Sequence, residues 1–306
     1  MTKLHLDTDL GGDIDDVCGL AMLLKWENLE ITGITTVAED NGKRAGYTKY
    51  ALQLAGRSDI PVAAGADVSG GYYRSRSGYP DEQEYWPEPI PPSPNPLDEA
   101  LELLKSSIEQ HAIIVGIGPF TNFALLDQKY PEILRKATIY LMGGYIYPPR
   151  IGFPLWGNNM DYNIQEDITS AEHVLEHADP VLIPLTVTVE TALRRAYLPN
   201  LQRAGPIGRL IARQAEALGK FGQNEEKWGK TYAGLPDDIL NFQHDPLACA
   251  VALGWDGVKI SELPIKVEVK EGWLHEYVAE TGKPTRVVTE VDGDRFNEFW
   301  LKVLVS

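Results

Sequence analysis

Short apolar runs rich in β-branched residues alternate with helical stretches through residues 4–186 of the chain. Strands that are apolar on both faces and separated by helices indicate one open, mostly parallel sheet flanked by helices, an α/β fold. In such sheets, ligands bind beyond the carboxyl ends of the strands. The predicted strands are Leu4–Asp7, Ile31–Val37, Ile60–Ala63, Ala112–Ile117, Thr138–Leu141 and Pro180–Thr186. The predicted helices are Val17–Lys25, Ala45–Ala55, Leu97–Ile108, Asn122–Asp127 and Ile168–Glu176.

Two segments interrupt this alternation, and the last part of the chain departs from it. The Gly-, Tyr- and Pro-rich segment Val68–Pro96 is predicted as a long loop, and the polar segment Gly219–Pro236 as a loop or a mobile helix. After residue 258, the runs Ile265–Val269 and Arg286–Val288 predict extra C-terminal strands, and an amphipathic stretch ends the chain. We expect a single domain over residues 1–306.

The charge balance excludes several functions. The chain carries 28 Lys+Arg against 44 Asp+Glu, a formal net charge of −16. Nucleic-acid binding needs a basic face, so no nucleic-acid partner is expected, whereas a metal cation is favoured. No apolar run approaches the roughly 18 residues that cross a bilayer, and the N-terminus enters a strand at once, so neither membrane insertion nor a signal peptide is expected. The two cysteines, Cys18 and Cys249, are far apart, which indicates reduced thiols in a cytoplasmic protein.

An acidic cluster follows the first predicted strand. Five carboxylates lie within the ten residues Asp7–Asp16, and like charges this close repel one another. One interpretation is a solvated turn with an aspartate capping the next helix. The position at a strand end, with glycines that permit a tight turn, favours a hard cation such as Ca²⁺ or Mg²⁺ bound by oxygen ligands. The spacing does not fit an EF-hand loop.

Three further motifs stand at predicted element boundaries. His244-Asp245 precedes the apolar helix Leu247–Leu253, where Asp245 is alternatively an ordinary helix cap. Gly118–Asn122 follows an apolar strand and is alternatively a plain strand-to-helix turn. Met142-Gly143-Gly144 follows the next strand and leads to the Asn-rich segment Gly157–Asn163, which suits hydroxyl recognition or a turn.

In this order, the motifs resemble those of the nucleoside hydrolase family, the inosine–uridine-preferring type in particular. The resemblance includes Asp7-Thr8-Asp9-Leu10-Gly11 followed by Asp15-Asp16, the Gly118–Asn122 turn, and "AGRSDIPVAAGA" at Ala55–Ala66. It covers residues 3 to about 254. It implies a Rossmann-like fold, Ca²⁺-dependent hydrolysis of the N-glycosidic bond of small-molecule ribonucleosides, and a homodimer or homotetramer.

The resemblance also implies roles for individual residues. The Ca²⁺ ligands would be Asp9, Asp16, the carbonyl of Thr121 and Asp245. Asp9 would be the general base on the attacking water, and His244 would donate a proton to the departing base. The expected substrate-binding residues are Asp15, Met142, Asn158, Asn159, Asp161, Asn163 and Asp40.

The chain departs from the family pattern at several positions. Gly12 and Asp13 are extra residues, Glu39-Asp40 replaces the usual Gly-Asn, and Asp161 replaces the usual Glu. The usual histidine of the first mobile loop is replaced by aromatic residues that either stack on a base or pack on the protein. These are Tyr72, Tyr73, Tyr79, Tyr85 and Trp86.

Two other functions remain as alternatives. A phosphatase of the haloacid dehalogenase type also begins with a strand ending in Asp-x-Asp, but here Gly11 occupies the position where that family has Thr or Val. The other alternative is a calcium-dependent nucleoside- or ribose-binding protein without turnover, which the departures from the family pattern motivate.

Overall fold

The computed structural model describes residues 1–67 and 80–306. Eleven strands lie in this part of the chain: β1 (Thr2–Thr8), β2 (Leu29–Thr36), β3 (Val62–Ala64), β4 (Ile113–Gly116), β5 (Thr138–Met142), β6 (Val181–Ile183), β7 (Ala192–Arg194), β8 (Ile239–Phe242), β9 (Val258–Lys270), β10 (Trp273–Val278) and β11 (Lys283–Val291).

The described α-helices are α1 (Asp15–Lys25), α2 (Lys43–Leu54), α3 (Glu82–Tyr85), α4 (Leu97–Glu109), α5 (Thr121–Lys129), α6 (Tyr162–Gln165), α7 (Ile168–His177), α8 (Leu185–Thr188), α9 (Leu198–Leu201), α10 (Gly205–Gly222), α11 (His244–Ala252) and α12 (Gly293–Val305). Short 3₁₀ helices span Leu134–Lys136, Asn158–Met160 and Arg195–Tyr197, and a π-helix spans Glu225–Gly229.

Nine strands form one sheet in the order β10-β9-β11-β6-β5-β4-β1-β2-β3, and β7 pairs with β8 in a separate ribbon. The strands from β3 to β11 in this order are parallel, while β9 runs antiparallel to β11 and β10 antiparallel to β9. This confirms the predicted open, mostly parallel sheet with extra C-terminal strands. The chain moves outward from β1 to β3 and then returns to place β4 on the other side of β1. The carboxyl ends of β1 and β4 therefore form a topological switch point.

Helices cover both faces of the sheet. On β4, Val115 belongs to the core beneath α1, α11 and α12, whereas Ile114 belongs to the core beneath α4, α5 and α7. On β6, Ile183 and Leu182 divide in the same way. This alternation follows from the two-residue repeat of a strand and explains why the parallel strands are apolar on both faces.

Several predicted boundaries differ from the structure. The predicted strand Pro180–Thr186 is too long, because β6 ends before Pro184 and α8 follows. The segment Gly219–Pro236 contains the end of α10 and the π-helix, and β10 was not predicted. Val68–Tyr79, which includes three of the loop aromatics, lies outside the described residues.

Cys18 and Cys249 are buried free thiols. None of the helices within residues 1–67 and 80–306 is long and apolar enough to cross a membrane.

Candidate active site

The acidic segment lies at the switch point. It runs from the end of β1 into α1, and the Gly118–Thr121 turn leaves the neighbouring β4. A Cβ on Gly118 would lie 3.0 Å from the backbone nitrogen of Asp9 and 2.7 Å from Cγ1 of Val37. Only glycine lets this turn pack directly against Asp9 without displacing it, so both strand ends contribute to one compact site.

Three buried carboxylates converge at this position. One oxygen each of Asp15, Asp16 and Asp245 lies within 4.8 Å of the others. Asp15 and Asp16 begin α1, and Asp245 is in the first turn of α11, which packs beside α1. Asp15, Asp16 and Asp245 are not the N-cap residues of these helices, because Ile14 and Gln243 hold the N-cap positions.

The electrostatics of the three carboxylates are unfavourable without a counter-charge. Burial raises the pKa of Asp15, Asp16 and Asp245 well above the ordinary value, and repulsion from neighbouring aspartates raises each pKa further. Asp9 adds to this repulsion on all three. A close group of buried hard-oxygen donors with excess negative charge is the donor set that suits Ca²⁺ or Mg²⁺. The residues present therefore fit the cation that the sequence predicted.

Two other aspartates of the motif are held by hydrogen bonds. Asp7 Oδ2 accepts from Thr35 Oγ1 at 2.5 Å and from Asn122 Nδ2 at 2.7 Å, and this carboxyl joins β1 to β2 and α5. Asp13 Oδ1 accepts from the backbone nitrogen of Ile14 at 2.6 Å and from Asn241 Nδ2 at 2.5 Å. The extra Asp13 is thus anchored to β8.

A cavity of about 330 Å³ opens above the carboxylates. Asn163 Nδ2 donates to the carbonyls of Ile117 and Met142, both at 3.1 Å, so its amide is fixed at the cavity wall. Asp161 caps α6 by accepting from the backbone nitrogen of Ile164, and it also accepts from that of Gly144. The cavity-lining residues that the sequence predicted are Asp9, Asp15, Asp16, Met142, Asp161, Asn163, His244 and Asp245.

Four predicted site residues are not among the described residues that line the cavity. Thr121 begins α5, and its hydroxyl donates to Asp167 Oδ2 at 2.8 Å. Asn158 Nδ2 contacts the carbonyl of Leu274 at 3.2 Å and Glu276 Oε2 at 3.3 Å. Asn159 and Asp40 are exposed. Their contacts with a metal or substrate stay predictions.

Glu39, beside Asp40, has a structural position. Its buried carboxylate accepts from the backbone nitrogens of Arg44 at 3.1 Å and Ala45 at 2.8 Å, which satisfies the start of α2. Arg44 in turn places its guanidinium 3.6 Å from Asp9 Oδ2. Glu39, one of the residues that depart from the family pattern, therefore supports the start of α2. This helix carries the positively charged side chain of Arg44 beside Asp9.

His244 is half-buried at the start of α11. Its Nδ1 lies 2.7 Å from Thr188 Oγ1, and its ring stacks on Phe242 with centroids 5.4 Å apart. Burial lowers the pKa of His244 to about 3, so the imidazole is neutral near neutral pH. The contact at Nδ1 leaves Nε2 as the ring nitrogen available to a substrate.

Sequence reasoning missed an aromatic wall that continues from His244. Trp156 packs edge-on against Phe242 with centroids 4.9 Å apart and against Trp228 at 5.3 Å, and all three line the cavity. Trp228 lies in the polar segment Gly219–Pro236, which was predicted only as a loop or a mobile helix. No local sequence pattern marks Trp156 and Phe242 as cavity residues, because they are distant in sequence and meet only through packing of the fold.

The described loop aromatics do not line the cavity. The Tyr85 hydroxyl donates to the carbonyl of Gly12 at 2.9 Å, and Trp86 stacks on Tyr47 with centroids 4.2 Å apart. The interpretation that these two rings pack on the protein is the one the structure supports. Tyr72, Tyr73 and Tyr79 lie outside the described residues.

Comparisons with known proteins agree with this geometry. The family model described as inosine-uridine preferring nucleoside hydrolase matches residues 4–298. The pyrimidine-specific ribonucleoside hydrolase RihA of Salmonella arizonae is 29% identical over 310 residues, which cover 95% of this chain and 93% of that protein.

Two solved structures share the fold. The plant nucleoside hydrolase PpNRh1 has a TM-score of 0.81 at 20% identity and covers 100% of this chain and 99% of its own. The purine-preferring ribonucleoside hydrolase from Gardnerella vaginalis has a TM-score of 0.79 at 22% identity, with coverages of 99% and 98%. The names of these relatives differ in the base they prefer, so the likeness leaves the base undecided.

Proposed function

Because the chain belongs to the inosine-uridine preferring nucleoside hydrolase family, we propose that it hydrolyses the N-glycosidic bond of ribonucleosides with the help of bound Ca²⁺. The products would be ribose and the free base. The observation that supports this proposal best is the convergence of Asp15, Asp16 and Asp245 at the switch point of the sheet.

The proposed cation would be held by Asp9, Asp16, Asp245 and the carbonyl of Thr121, with Asp15 beside it. When bound, the cation lowers the pKa of a water and orients the sugar diol. Asp9 takes the proton from the attacking water. The guanidinium of Arg44, 3.6 Å from Asp9 Oδ2, favours the charged carboxylate that a base requires.

The sugar would be oriented by groups on the cavity wall. Asp15 accepts a hydrogen bond from the 2′-hydroxyl, and the amide of Asn163 meets the 3′-hydroxyl. Asp161 lies on the same wall and would meet the 5′-hydroxyl. As the bond to the base breaks, the ribose acquires oxocarbenium character, which nearby carboxylates stabilise electrostatically.

His244 would donate a proton to the departing base. Its Nε2 exchanges a proton with the base, while the Thr188 contact holds the ring orientation. Because the ring is neutral when buried, His244 must first take up a proton before donating it. We therefore expect proton donation to depend on how bound cation and substrate change the environment of the His244 ring, and with it the pKa of His244.

The direct test is release of ribose from a panel of purine and pyrimidine ribonucleosides, with bound metal measured by elemental analysis. We expect release that EDTA with dialysis abolishes and that Ca²⁺ restores. Asp245→Asn should lose both metal and turnover, whereas Asp179→Asn, which removes an exposed carboxylate that pairs with Lys283, should keep both. Tight binding of a nucleoside without release of base from any of the panel would instead identify a binding protein.

A further inference from the structure

The edge strand β10 is bonded to the segment that forms one wall of the cavity. Gln165, at the end of α6, pairs with Leu274 of β10 much as a neighbouring strand would. Its Nε2 donates to the Leu274 carbonyl at 2.8 Å, and its Oε1 accepts from the Leu274 nitrogen at 3.0 Å. Asn158 Nδ2 donates to the same carbonyl at 3.2 Å. The segment 158–165, which contains Asp161, is therefore attached to the C-terminal strands.

Glu276, two residues further along β10, closes a ring of hydrogen bonds around Asp161. Its Oε2 lies 3.3 Å from both Nδ2 of Asn158 and the backbone nitrogen of Tyr145. The carbonyl of Asn158 accepts from the backbone nitrogen of Asp161 at 3.0 Å, and Asp161 Oδ2 accepts from the backbone nitrogen of Gly144. Because Gly144 and Tyr145 are consecutive, these bonds form a closed ring. Glu276 thus holds both chain segments that hold Asp161.

Of the residues in this ring, Asp161 is the one that lines the cavity. Glu276 is 3% exposed and is not among the described residues that line the cavity. A contribution of Glu276 to ligand binding therefore passes through Asp161. Asn163, two residues beyond Asp161, lines the same wall, where its amide donates to the Met142 carbonyl. The ring thus supports the part of the wall that borders the predicted sugar site.

Near pH 7 the two carboxyl groups differ in charge. Burial, with repulsion from Asp161, raises the pKa of Glu276 to about 8, so this group keeps its proton. Burial raises the pKa of Asp161 only to about 6, because backbone hydrogen bonds, including those from Gly144 and Ile164, stabilise its charged form. Asp161 is therefore the ionised member of the pair. A hydrogen bond from a hydroxyl to an ionised acceptor is about twice as strong as one between neutral groups.

We propose that Glu276 is a positioning residue for the 5′ end of the ribose: through the ring of hydrogen bonds it holds Asp161 where that carboxylate accepts a hydrogen bond from the 5′-hydroxyl. This inference rests on the proposed function and adds to it a residue of β10, far along the chain from the site motifs. Asp161 replaces the usual Glu and is one methylene shorter, so its contact with a hydroxyl depends more on where its backbone is held. The ring fixes that backbone through Asn158 and the carboxylate through Gly144.

The test measures how strongly the calcium-loaded enzyme prefers a free 5′-hydroxyl. The preference is the ratio of kcat/KM for uridine to that for 5′-deoxyuridine, with inosine and 5′-deoxyinosine as a second pair. Wild type should prefer the hydroxyl by about tenfold or more, the expected contribution of one hydrogen bond to a charged group. Glu276→Met fills similar space without an acceptor and should lower this preference by about tenfold. Glu276→Gln, which keeps a neutral acceptor of the same shape, should retain the preference.

A double-mutant cycle tests whether the effect passes through Asp161. Asp161→Ala should abolish the preference, and adding Glu276→Met should then change it no further, because residues that act through one contact are not additive. Asn158→Ala opens the same ring at a half-buried position and should reproduce the loss, so the test does not depend on one buried variant folding. Glu268→Met, the same substitution at an exposed carboxylate of β9, should behave as wild type.

The pattern of losses separates positioning from a purely structural role. Equal losses on the 5′-hydroxyl and 5′-deoxy substrates, or additive losses in the cycle, would overturn the inference and assign Glu276 to folding alone. Unchanged preference in Glu276→Met, or a wild type that does not distinguish the two sugars, would overturn it while leaving the proposed function intact. No release of base by wild type from any of the four substrates would overturn both.

Discussion

Glu276 of β10 is a buried carboxylate whose titration should be visible in the stability of the protein. Its Oε2 lies 3.3 Å from both the backbone nitrogen of Tyr145 and Nδ2 of Asn158, while its buried Oε1 has no hydrogen-bond partner in the described structure. Burial, with repulsion from Asp161, raises the pKa of Glu276 to about 8. The native protein therefore holds a proton there that the unfolded chain loses near the ordinary glutamate pKa of 4.5.

The sign and size of the effect follow from linkage. Because the folded pKa is the higher one, Glu276 costs no stability below the unfolded pKa, and its cost grows as pH rises toward the folded pKa. The cost rises by about 1.4 kcal/mol per pH unit. Glu276→Gln removes this titration and keeps an oxygen acceptor for Tyr145 and Asn158. The free energy of unfolding of the variant should therefore rise by about 3 kcal/mol relative to wild type between roughly pH 5.5 and pH 7.5.

The assay is urea unfolding at several pH values with Ca²⁺ held constant, because cation binding adds its own pH dependence. Glu290→Gln is the control, since Glu290 is exposed and its hydrogen bond with Lys259 lowers the pKa of the Glu290 carboxyl. Its small effect should have the opposite sign. If the difference in free energy of unfolding between Glu276→Gln and wild type stays constant across this pH range, the reasoning is refuted.

Three further predictions concern the site. His244→Ala should slow release from natural nucleosides by roughly 10²–10⁴-fold but spare p-nitrophenyl riboside, whose leaving group needs no proton; steady-state kinetics that show equal losses would exclude proton donation. Ca²⁺ at 100 times its Kd should raise the free energy of unfolding by about 2.7 kcal/mol, and Asp245→Asn should abolish this rise in thermal melts; an unchanged rise would place the ion elsewhere. Gly118→Ala should cost about 1–3 kcal/mol by overpacking Val37 and should weaken Ca²⁺ affinity in a calcium titration by displacing Asp9; full affinity would show that the turn does not position Asp9.

The parallel part of the fold was predictable because its signal is local. Strands such as β4 and β5 are apolar on both faces, and α4 was predicted to within one residue at its end. The Asp7–Asp16 segment could be assigned to a strand end for the same reason, since a turn and a helix follow it directly.

What the sequence did not predict depends on contacts between distant segments. Asp13 meets Asn241, which is 228 residues away, and His244 meets Thr188 on a different helix. The segment Glu225–Gly229 has no signature that separates a π-helix from a loop. Such features arise from packing of the finished fold, and no short window of residues encodes them.

The three buried carboxylates connect the fold to the metal requirement by a charge count. The N-termini of α1 and α11 both face the cluster, and two helix dipoles contribute roughly one positive elementary charge. Asp15, Asp16 and Asp245 carry three negative charges when ionised, Asp9 adds a fourth that Arg44 offsets, and Asp13 adds further repulsion on Asp15 and Asp16. The remaining excess can be removed by protonation, which the raised pKa values express, or by a divalent cation. Protons and Ca²⁺ compete for the same carboxylates, so Ca²⁺ affinity should weaken steeply as pH falls. If calcium titrations at two pH values give the same affinity, these carboxylates are not the ligands.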